Sequence, residues 1–498
     1  MAKEKQNNQG RAANLPIIVE ALGKKRAPDY DALKEYDVKN HDIHDIHLRP
    51  KKKIRTPSGK KDKNGKDILE DKWLDPNRIA IPLQEIIVSR RVAFMNTGKM
   101  KLYAEPANDK EQRVYDIVKK IRDDNKINFK ESQIATTLNK ELQVAKLWYS
   151  VDADKGHWGE LSTVDKKFKM QILSPSRGDG LLPVFDNKGD LIYFGRSYEV
   201  EEDITERIGD PSWNGEVKKI KHLDIYSKEF IYRFVQQEAG EIVSTVGNNG
   251  WVLSGAPMPN PYGKIPVIYY SKPNPIWSSV QSMIDRIETV VSNFADTNDY
   301  HASPTLVFLG GKVTGKFMEK GEQGKAVSLT GDKADAKYVT WDHSVDAVKL
   351  EIDTLVNFIY SLTQTPNISF EEMKQLGALS GVAFDRVFLD AHLAARNEIE
   401  GEYGESLQRD LHLQKALVVA LDPTLKTAAE ALNISFEVPH FKLDDLVADV
   451  ELSIKAKEGG LISQETAIEM SGLVANTEDE MERIANEEDK KGEEEKSE

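Results

Sequence analysis

Three histidines, His41, His44 and His47, recur every third residue, with Asp42 and Asp45 between them. On a helix that spacing would bring the imidazoles roughly to one side, where they could chelate a divalent metal. No apolar stripe fixes the segment, and a metal site needs a rigid second layer of hydrogen bonds, so a solvated turn is the simpler expectation. A second candidate is Gly310-Gly311-Lys312-Val313-Thr314-Gly315-Lys316-Phe317, which nearly matches a phosphate-binding loop after strand-like Leu306–Leu309. That chemistry needs a Ser or Thr hydroxyl after the lysine to hold magnesium, and a helix starting there. Phe317 stands in the hydroxyl position, and Glu319 to Gly324 reads as a turn. A glycine-rich hairpin is therefore expected instead. No G-x-S-x-G elbow, H-E-x-x-H pair or post-strand G-x-G-x-x-G occurs. Cysteine is absent, which removes thiol nucleophiles, disulfides and cysteine-based zinc sites. No catalytic residue, metal site or cofactor is expected.

The elements that would position any site come from a chain of 498 residues, a length suggesting about three domains. Asp and Glu number 82 against 68 Lys and Arg, a net charge of -14, and 39% of residues are apolar. That balance speaks against a dedicated nucleic-acid-binding surface. No apolar run reaches the length of a membrane span, and Met1 to Arg11 lacks the apolar core of a secretory signal. A reducing or redox-indifferent location is expected.

Residues 1–70 read as a basic, disordered arm. Between Arg49 and Lys66 lie nine Lys/Arg and one Asp, and a like-charged block repels itself. Helices are expected from Asp75-Pro76 to Gly98, over Asp109–Asp124 with Val114, Ile117, Val118 and Ile121 on one face, and over Lys130–Ala145. The period then drops towards two. Strands are expected at Leu147–Val151, Lys169–Leu173, Leu181–Phe185, Leu191–Val200, Glu229–Gln236, Ile242–Thr245 and Ile265–Tyr270, with a hairpin turn at Asp186–Gly189.

The most informative stretch follows. Trp277, Val280, Ile284, Ile287, Val291 and Phe294 are spaced 3, 4, 3, 4, 3, and Val345, Val348, Ile352, Leu355, Ile359 and Leu362 repeat that spacing. Each is one narrow apolar stripe on a helix. Asp285, Glu288, Asp296 and Asp299 on the first helix, and Glu351 and Asp353 near the second, are expected on faces that meet water. Between them, Ser303 to His343 reads as strands and turns. Asn367 to Gly381 reads as a loop, with a capping box at Ser369 and Glu372. A helical pattern runs from Val382 to Leu421, weakened by Gly401 and Gly404. A strand at Asn433–Val438 and helices at Lys442–Lys457, Ser463–Met470 and Thr477–Asn486 follow. The last 22 residues carry 11 acidic and 4 basic side chains and are expected to fray.

A narrow stripe buries against a neighbouring helix but cannot enclose a core. Copies packed side by side through such helices would close a ring with acidic faces towards its lumen, where they would repel rather than grip a polyanion. The rival readings are a nucleotide hydrolase using Gly310–Lys316 and a scaffold that binds nucleic acid through its basic arm.

Several runs, in order, carry a resemblance. They are Gly263-Lys264-Ile265-Pro266-Val267-Ile268-Tyr269, Ser282-Met283-Ile284-Asp285-Arg286 and Val291–Asp299, then Leu379-Ser380-Gly381-Val382-Ala383, Gly460–Ala467 and Asp479–Ile484. From about Pro76 to Glu488 the chain resembles the portal proteins of tailed double-stranded DNA bacteriophages, siphovirus type. It departs from them at Lys272-Pro273-Asn274-Pro275, where an Asn-Asn pair is common. The resemblance implies an α+β subunit of a ring, usually of twelve copies, at one capsid vertex. It implies a wing over 71–275, stem helices over 276–300 and 344–365, a small α/β clip over 301–343 and a tunnel loop over 366–381. A long wing helix and return strand would span 382–440, and a helical crown with an acidic tail 441–498. Asp285, Glu288, Asp296, Glu351 and Asp353 would line the channel. Lys374, Gln375, Leu376 and Ser380 would face DNA. Lys312, Lys316, Phe317, Lys320 and Lys325 would dock the terminase large subunit and the head–tail adaptor. Major capsid or scaffolding protein would be a further partner, and no membrane is implied. The subunit would reside in the virion, and in the host cytoplasm during assembly.

Overall fold

The computed structural model describes residues 14–61, 67–201, 219–236, 250–301, 345–367, 388–439, 441, 446–474 and 476–494, with four short strands between 305 and 339. It opens with α1 (Leu15–Lys24), α2 (Ala32–Tyr36) and a hairpin of β1 (Lys52–Lys61) and β2 (Asp67–Leu74). The expectation of a disordered arm is therefore corrected for residues 14–61. Leu15 and Val19 of α1 are buried, and the helix lies on a sheet of later strands. Asp31 caps α2 by accepting from Lys34 N at 3.2 Å. The compositional reading failed because charge concentrates in 49–66, while the apolar anchors stand earlier, one or two per turn.

Three helices then build the floor of the main core: α3 (Leu83–Met95), α4 (Asp109–Asp124) and α5 (Ile127–Glu141), with β3 (Lys101–Ala104) between the first two. The expected stripe of α4 is real: Val114, Ile117, Val118 and Ile121 are all buried. Asn108 caps it, accepting from Glu111 N at 3.0 Å, while the Glu111 carboxylate accepts from Ala107 N at 2.9 Å, a reciprocal capping box. Strand β4 starts at Gln143, so α5 ends before Ala145, with Leu142 in the left-handed region closing it.

The β region forms two sheets. β4 (Gln143–Asp152) is central in a three-stranded antiparallel sheet, between β5 (Lys166–Leu173) and β12 (Val267–Ser271). The second sheet runs β10 (Trp251–Leu253), β9 (Phe230–Gln236), β8 (Lys219–Tyr226), β7 (Leu191–Glu201) and β6 (Gly180–Phe185), with β11 (Met258–Pro259) also on β9. β8 was not anticipated, because Lys219, Lys221 and His222 mask its alternation until Leu223–Tyr226, which are buried. The Asp186–Gly189 turn forms as expected, with the Asp186 side chain accepting from Lys188 N and Asp190 N. Gly195 of β7 is required: a Cβ there would meet Val19 of α1 at 2.5 Å. The expected strand Ile242–Thr245 lies outside the described residues.

The stem helices are α6 (Gln281–His301) and α7 (Val345–Leu362), and between them β13 (Thr305–Leu309) pairs with β16 (Asp335–Val339), and β14 (Lys312–Thr314) with β15 (Ser328–Thr330). The expected 382–421 helix is in two pieces, α8 (Leu389–Glu400) and α9 (Glu402–Leu421), broken at Gly401. Helix α10 (Lys426–Ala431) and β17 (Ile434–Glu437) follow, β17 pairing antiparallel with β3. The C-terminal helices are α11 (Leu446–Glu458), α12 (Gln464–Ser471) and α13 (Thr477–Glu494). Helix α13 continues to Glu494, correcting the expectation of a frayed tail.

One large core unites α3, α4, α5, β4, β5 and β12 with α8, α9 and the adjoining ends of the stem helices. At its centre lies an ionic cluster. Lys146 Nζ of β4 is wholly buried, 2.5 Å from Glu131 Oε1 of α5 and 3.1 Å from Asp410 Oδ2 of α9. Trp148 Nε1 and Gln414 Nε2 also donate to Asp410, at 2.7 and 3.0 Å. Burial pushes the Lys146 pKa down, but the two carboxylates more than offset it and leave it raised.

Candidate stem and assembly surface

Helices α6 and α7 are antiparallel neighbours. Helix α3 touches the start of one, through Gln84 and Gln281, and the end of the other, through Arg91 and Thr363 O. Arg286 of α6 bonds Glu351 of α7 at 2.8 Å. The α6 stripe is buried at Trp277, Val280, Ile284 and Ile287. On α7 only Ile359 is fully buried; Val348, Ile352 and Leu355 are half-buried, and Val345 and Leu362 are exposed. The stem thus joins the core at one end, and towards the other its stripe is only half-buried, at Val291 and Phe294 of α6 and Val348 of α7.

The acidic face of α6 does not look into water as expected. Residues 77–81 run along it in extended form, and three alternate backbone N–H groups donate to three successive helix turns. Asn77 N donates to Asp296 Oδ1 at 2.6 Å, Ile79 N to Ser292 Oγ at 2.9 Å, and Ile81 N to Glu288 Oε1 at 2.8 Å. The spacings match: two extended residues advance about 6.6 Å, and four helical residues about 6 Å. The residues at 288, 292 and 296 therefore form an acceptor ladder.

Residues 41–52 cover the same flank. His41 Nδ1 lies 2.6 Å from Glu288 Oε1, both side chains buried. Asp296 also accepts from Arg49 Nη2 at 2.6 Å and Lys52 Nζ at 2.9 Å. Burial raises the Asp296 carboxyl, but Lys52, the Asn77 N–H and Arg49 outweigh it and hold it below the usual value. Asp285 is half-buried and bonded to Gln281, and burial pushes its pKa up. The water-facing expectation is thus corrected at Glu288, Asp285 and Asp296. The physical reason is that residues 41–52 and 77–81 supply the cations and N–H groups that satisfy Glu288 and Asp296, while Gln281 of the same helix holds Asp285. Glu351 is half-buried and Asp353 exposed.

The histidine cluster does not converge. His41 points to Glu288, while His44 and His47 sit exposed on short turns. Among the described residues no group of three or more His, Cys, Asp or Glu is placed to hold a metal. Lys312 lies in β14, paired with Thr330 in β15, so Lys312–Thr314 are strand, while Gly310, Gly311 and Gly315 of that motif lie outside the described residues. Lys316, Phe317, Lys320 and Lys325 lie outside the described residues, as do Lys374, Gln375, Leu376, Ser380 and the Ser369–Glu372 capping box.

The base of the expected tunnel loop is described. Arg90 Nη1 donates to Pro366 O at 2.5 Å and Arg91 Nη2 to Thr363 O at 2.9 Å, holding the carbonyl end of α7 where cations are favoured. Arg91 lies 3.8 Å from Glu398 of α8, and Glu398 also bonds Lys272, just before the stem. Residues on either side of the loop and at the entry to α6 thus share one polar network. Sequence reasoning missed it, since Arg90-Arg91 inside a helix carries no motif. It also missed that Leu350 and Phe358 of α7, off the stripe, are 67% and 53% exposed, as is Leu362 of the stripe at 56%. Leu350 and Phe358 stand eight residues apart, about 80° round the helix, so no single periodicity marks them.

A family model described as "Phage portal protein, SPP1 Gp6-like" matches residues 19–494. The chain belongs to that family of phage portal proteins, whose members are structural rather than catalytic. Among solved structures, similarity extends to the neck of a native gene transfer agent particle computed with C12 symmetry, at 11% identity and a TM-score of 0.35, covering 78% of this chain and 91% of that one. The neck of the empty particle computed with C6 symmetry gives 11% and 0.34, covering 78% and 90%. The virion of the native particle gives 12% and 0.32, covering 78% and 91%. No curated protein matches significantly. No described helix is long and apolar enough to cross a membrane.

Proposed function

We propose that this chain is the subunit of a ring, of twelve copies, that forms the DNA conduit at one vertex of a phage capsid. The observation that carries the reading is the antiparallel pair α6–α7, which leaves the core and brackets a module of short strand pairs, in a chain of the portal family. The protein would perform no chemistry. DNA would be moved through it by an ATPase supplied by another protein, the terminase, and later released through it.

In this reading 276–300 and 344–365 are the stem, and 301–343 is the clip, where Lys312, Lys316, Phe317, Lys320 and Lys325 meet terminase and then the head–tail adaptor. Residues 366–381 form the tunnel loop, with Lys374, Gln375, Leu376 and Ser380 towards DNA, and 441–498 form the crown. The wing over 71–275 meets capsid or scaffolding protein. The subunit works in the virion and assembles in the host cytoplasm. Lining of the channel by stem carboxylates falls to Glu351 and Asp353, which the N-terminal segment leaves uncovered. Shortening the loop by deleting 373–377 tests the DNA role: packaging in a reconstituted motor should slow or stop while rings persist. Packaging at the normal rate would contradict it.

A further inference from the structure

We infer that residues 41–61 and 67–74 form an intersubunit clasp, whose exposed apolar groups pack on the exposed residues of α7 in the next copy of this chain. The inference rests on the ring reading and adds the contact that would close the ring at stem level. Each stem has two flanks. On one, α7 presents Leu350, Phe358 and Leu362 to solvent. On the other, α6 is already covered by its own chain, through the ladder at Glu288, Ser292 and Asp296 and the Arg49 and Lys52 contacts. A neighbour's α7 therefore cannot meet α6 on that flank. It meets the covering segment.

That segment is built as a contact surface. Leu48 and Trp73 are 65% and 60% exposed, and Ile46 and Leu69 are exposed as well. Strand alternation puts Leu69 and Trp73 on one face of the hairpin. An isolated two-stranded hairpin is marginal in water, and exposed tryptophan is the side chain most often found to anchor an interface. The charges are complementary: β1 and β2 carry six basic and three acidic residues, whereas α7 carries Asp346, Glu351 and Asp353 against Lys349. The Lys52–Asp296 bond pins the base of the hairpin near the far end of α6. Arg286, in the second turn of α6, pairs with Glu351, so in the antiparallel pair that far end lies nearest the start of α7, where Val345 is 47% exposed. The contact joins different surfaces on two identical chains, so repeating it generates a ring when the rotation between copies closes.

The chain has no cysteine, which makes cross-linking direct. Full-length Trp73→Cys and Val345→Cys chains, differently tagged, are co-expressed, allowed to assemble and oxidised. The clasp predicts a mixed disulfide dimer; a Val164→Cys partner, on an exposed residue elsewhere, should give none with Val345→Cys. In parallel, Trp73→Ala should raise the concentration needed for half-assembly about tenfold or more, the effect of losing an interface anchor. Rings that form with no mixed dimer and with an unchanged Trp73→Ala midpoint would overturn the clasp while leaving the ring intact. A Trp73→Cys/Val345→Cys double variant that forms its disulfide within one chain, in particles that remain single, would also overturn it. So would a Trp73→Ala variant that loses only affinity for added duplex DNA. Failure of the wild-type chain to form rings at all would instead strike at the ring reading on which the clasp depends.

Discussion

At Lys146 a wholly buried cation sits between two buried carboxylates, Glu131 and Asp410, each on a different helix. Removing one partner of such a cluster leaves charge uncompensated in a low-dielectric interior, at a cost of about 3–5 kcal/mol. Lys146→Met should therefore destabilise the chain by about that amount in urea denaturation, more than a shape-conserving core change does. His41 offers a different experiment. Burial lowers its pKa, but the Glu288 hydrogen bond and charge, with smaller help from Glu35 and Asp285, leave it raised above 6.5. A raised folded value stabilises fully below the unfolded value, and that stabilisation is lost as pH rises through the folded value. Docking of residues 41–52 should thus weaken above neutral pH. Limited proteolysis should cut there faster at pH 9 than at pH 6, and a His41→Ala variant should lose that pH dependence.

At the scale of elements, the channel argument has to be re-aimed. Lysine at Glu288 would break the contacts with His41 and Ile81 and loosen the N-terminal segment, so it tests docking rather than lumen charge. Glu351→Lys with Asp353→Lys tests the lumen: rings should form, and DNA passage should slow in a single-motor packaging assay. The break between α8 and α9 makes another prediction. A Cβ on Gly404 would lie 1.9 Å from Ile399 O, so Gly404→Ala should cost about 1–3 kcal/mol by overpacking, read from the melting temperature. Most elements were legible where one periodicity dominated. Helix α4 fell at Asp109–Asp124 as anticipated, and the α6 stripe was read residue by residue. The end of α9 at Leu421 was legible, and Gly401 marked the break, but the described helix starts at Leu389 rather than Val382. What could not be read was tertiary. The Glu288, Ser292 and Asp296 ladder looks like an ordinary solvated face until an extended segment some 210 residues earlier supplies its donors. Charge counting hid the fold of residues 14–61, since a few buried apolar residues outweigh a basic run that hangs outside the core.

For the molecule as a whole, the features argue together for association. The stem leaves the core with its apolar stripe only partly covered, α7 exposes Leu350 and Phe358 besides that stripe, and the N-terminal segment holds hydrophobic groups in water. Single exposed apolar residues need no explanation, whereas several grouped on projecting elements mark contact sites. Under the proposed portal role, that contact would close a ring around DNA. The most direct test is to determine the mass of the purified full-length chain and image it by negative stain across a range of concentrations. The account predicts annular particles with an open centre and a mass of twelve 56.1 kDa chains. A chain that stays single at high concentration, with no annular particles on the grid, would contradict it.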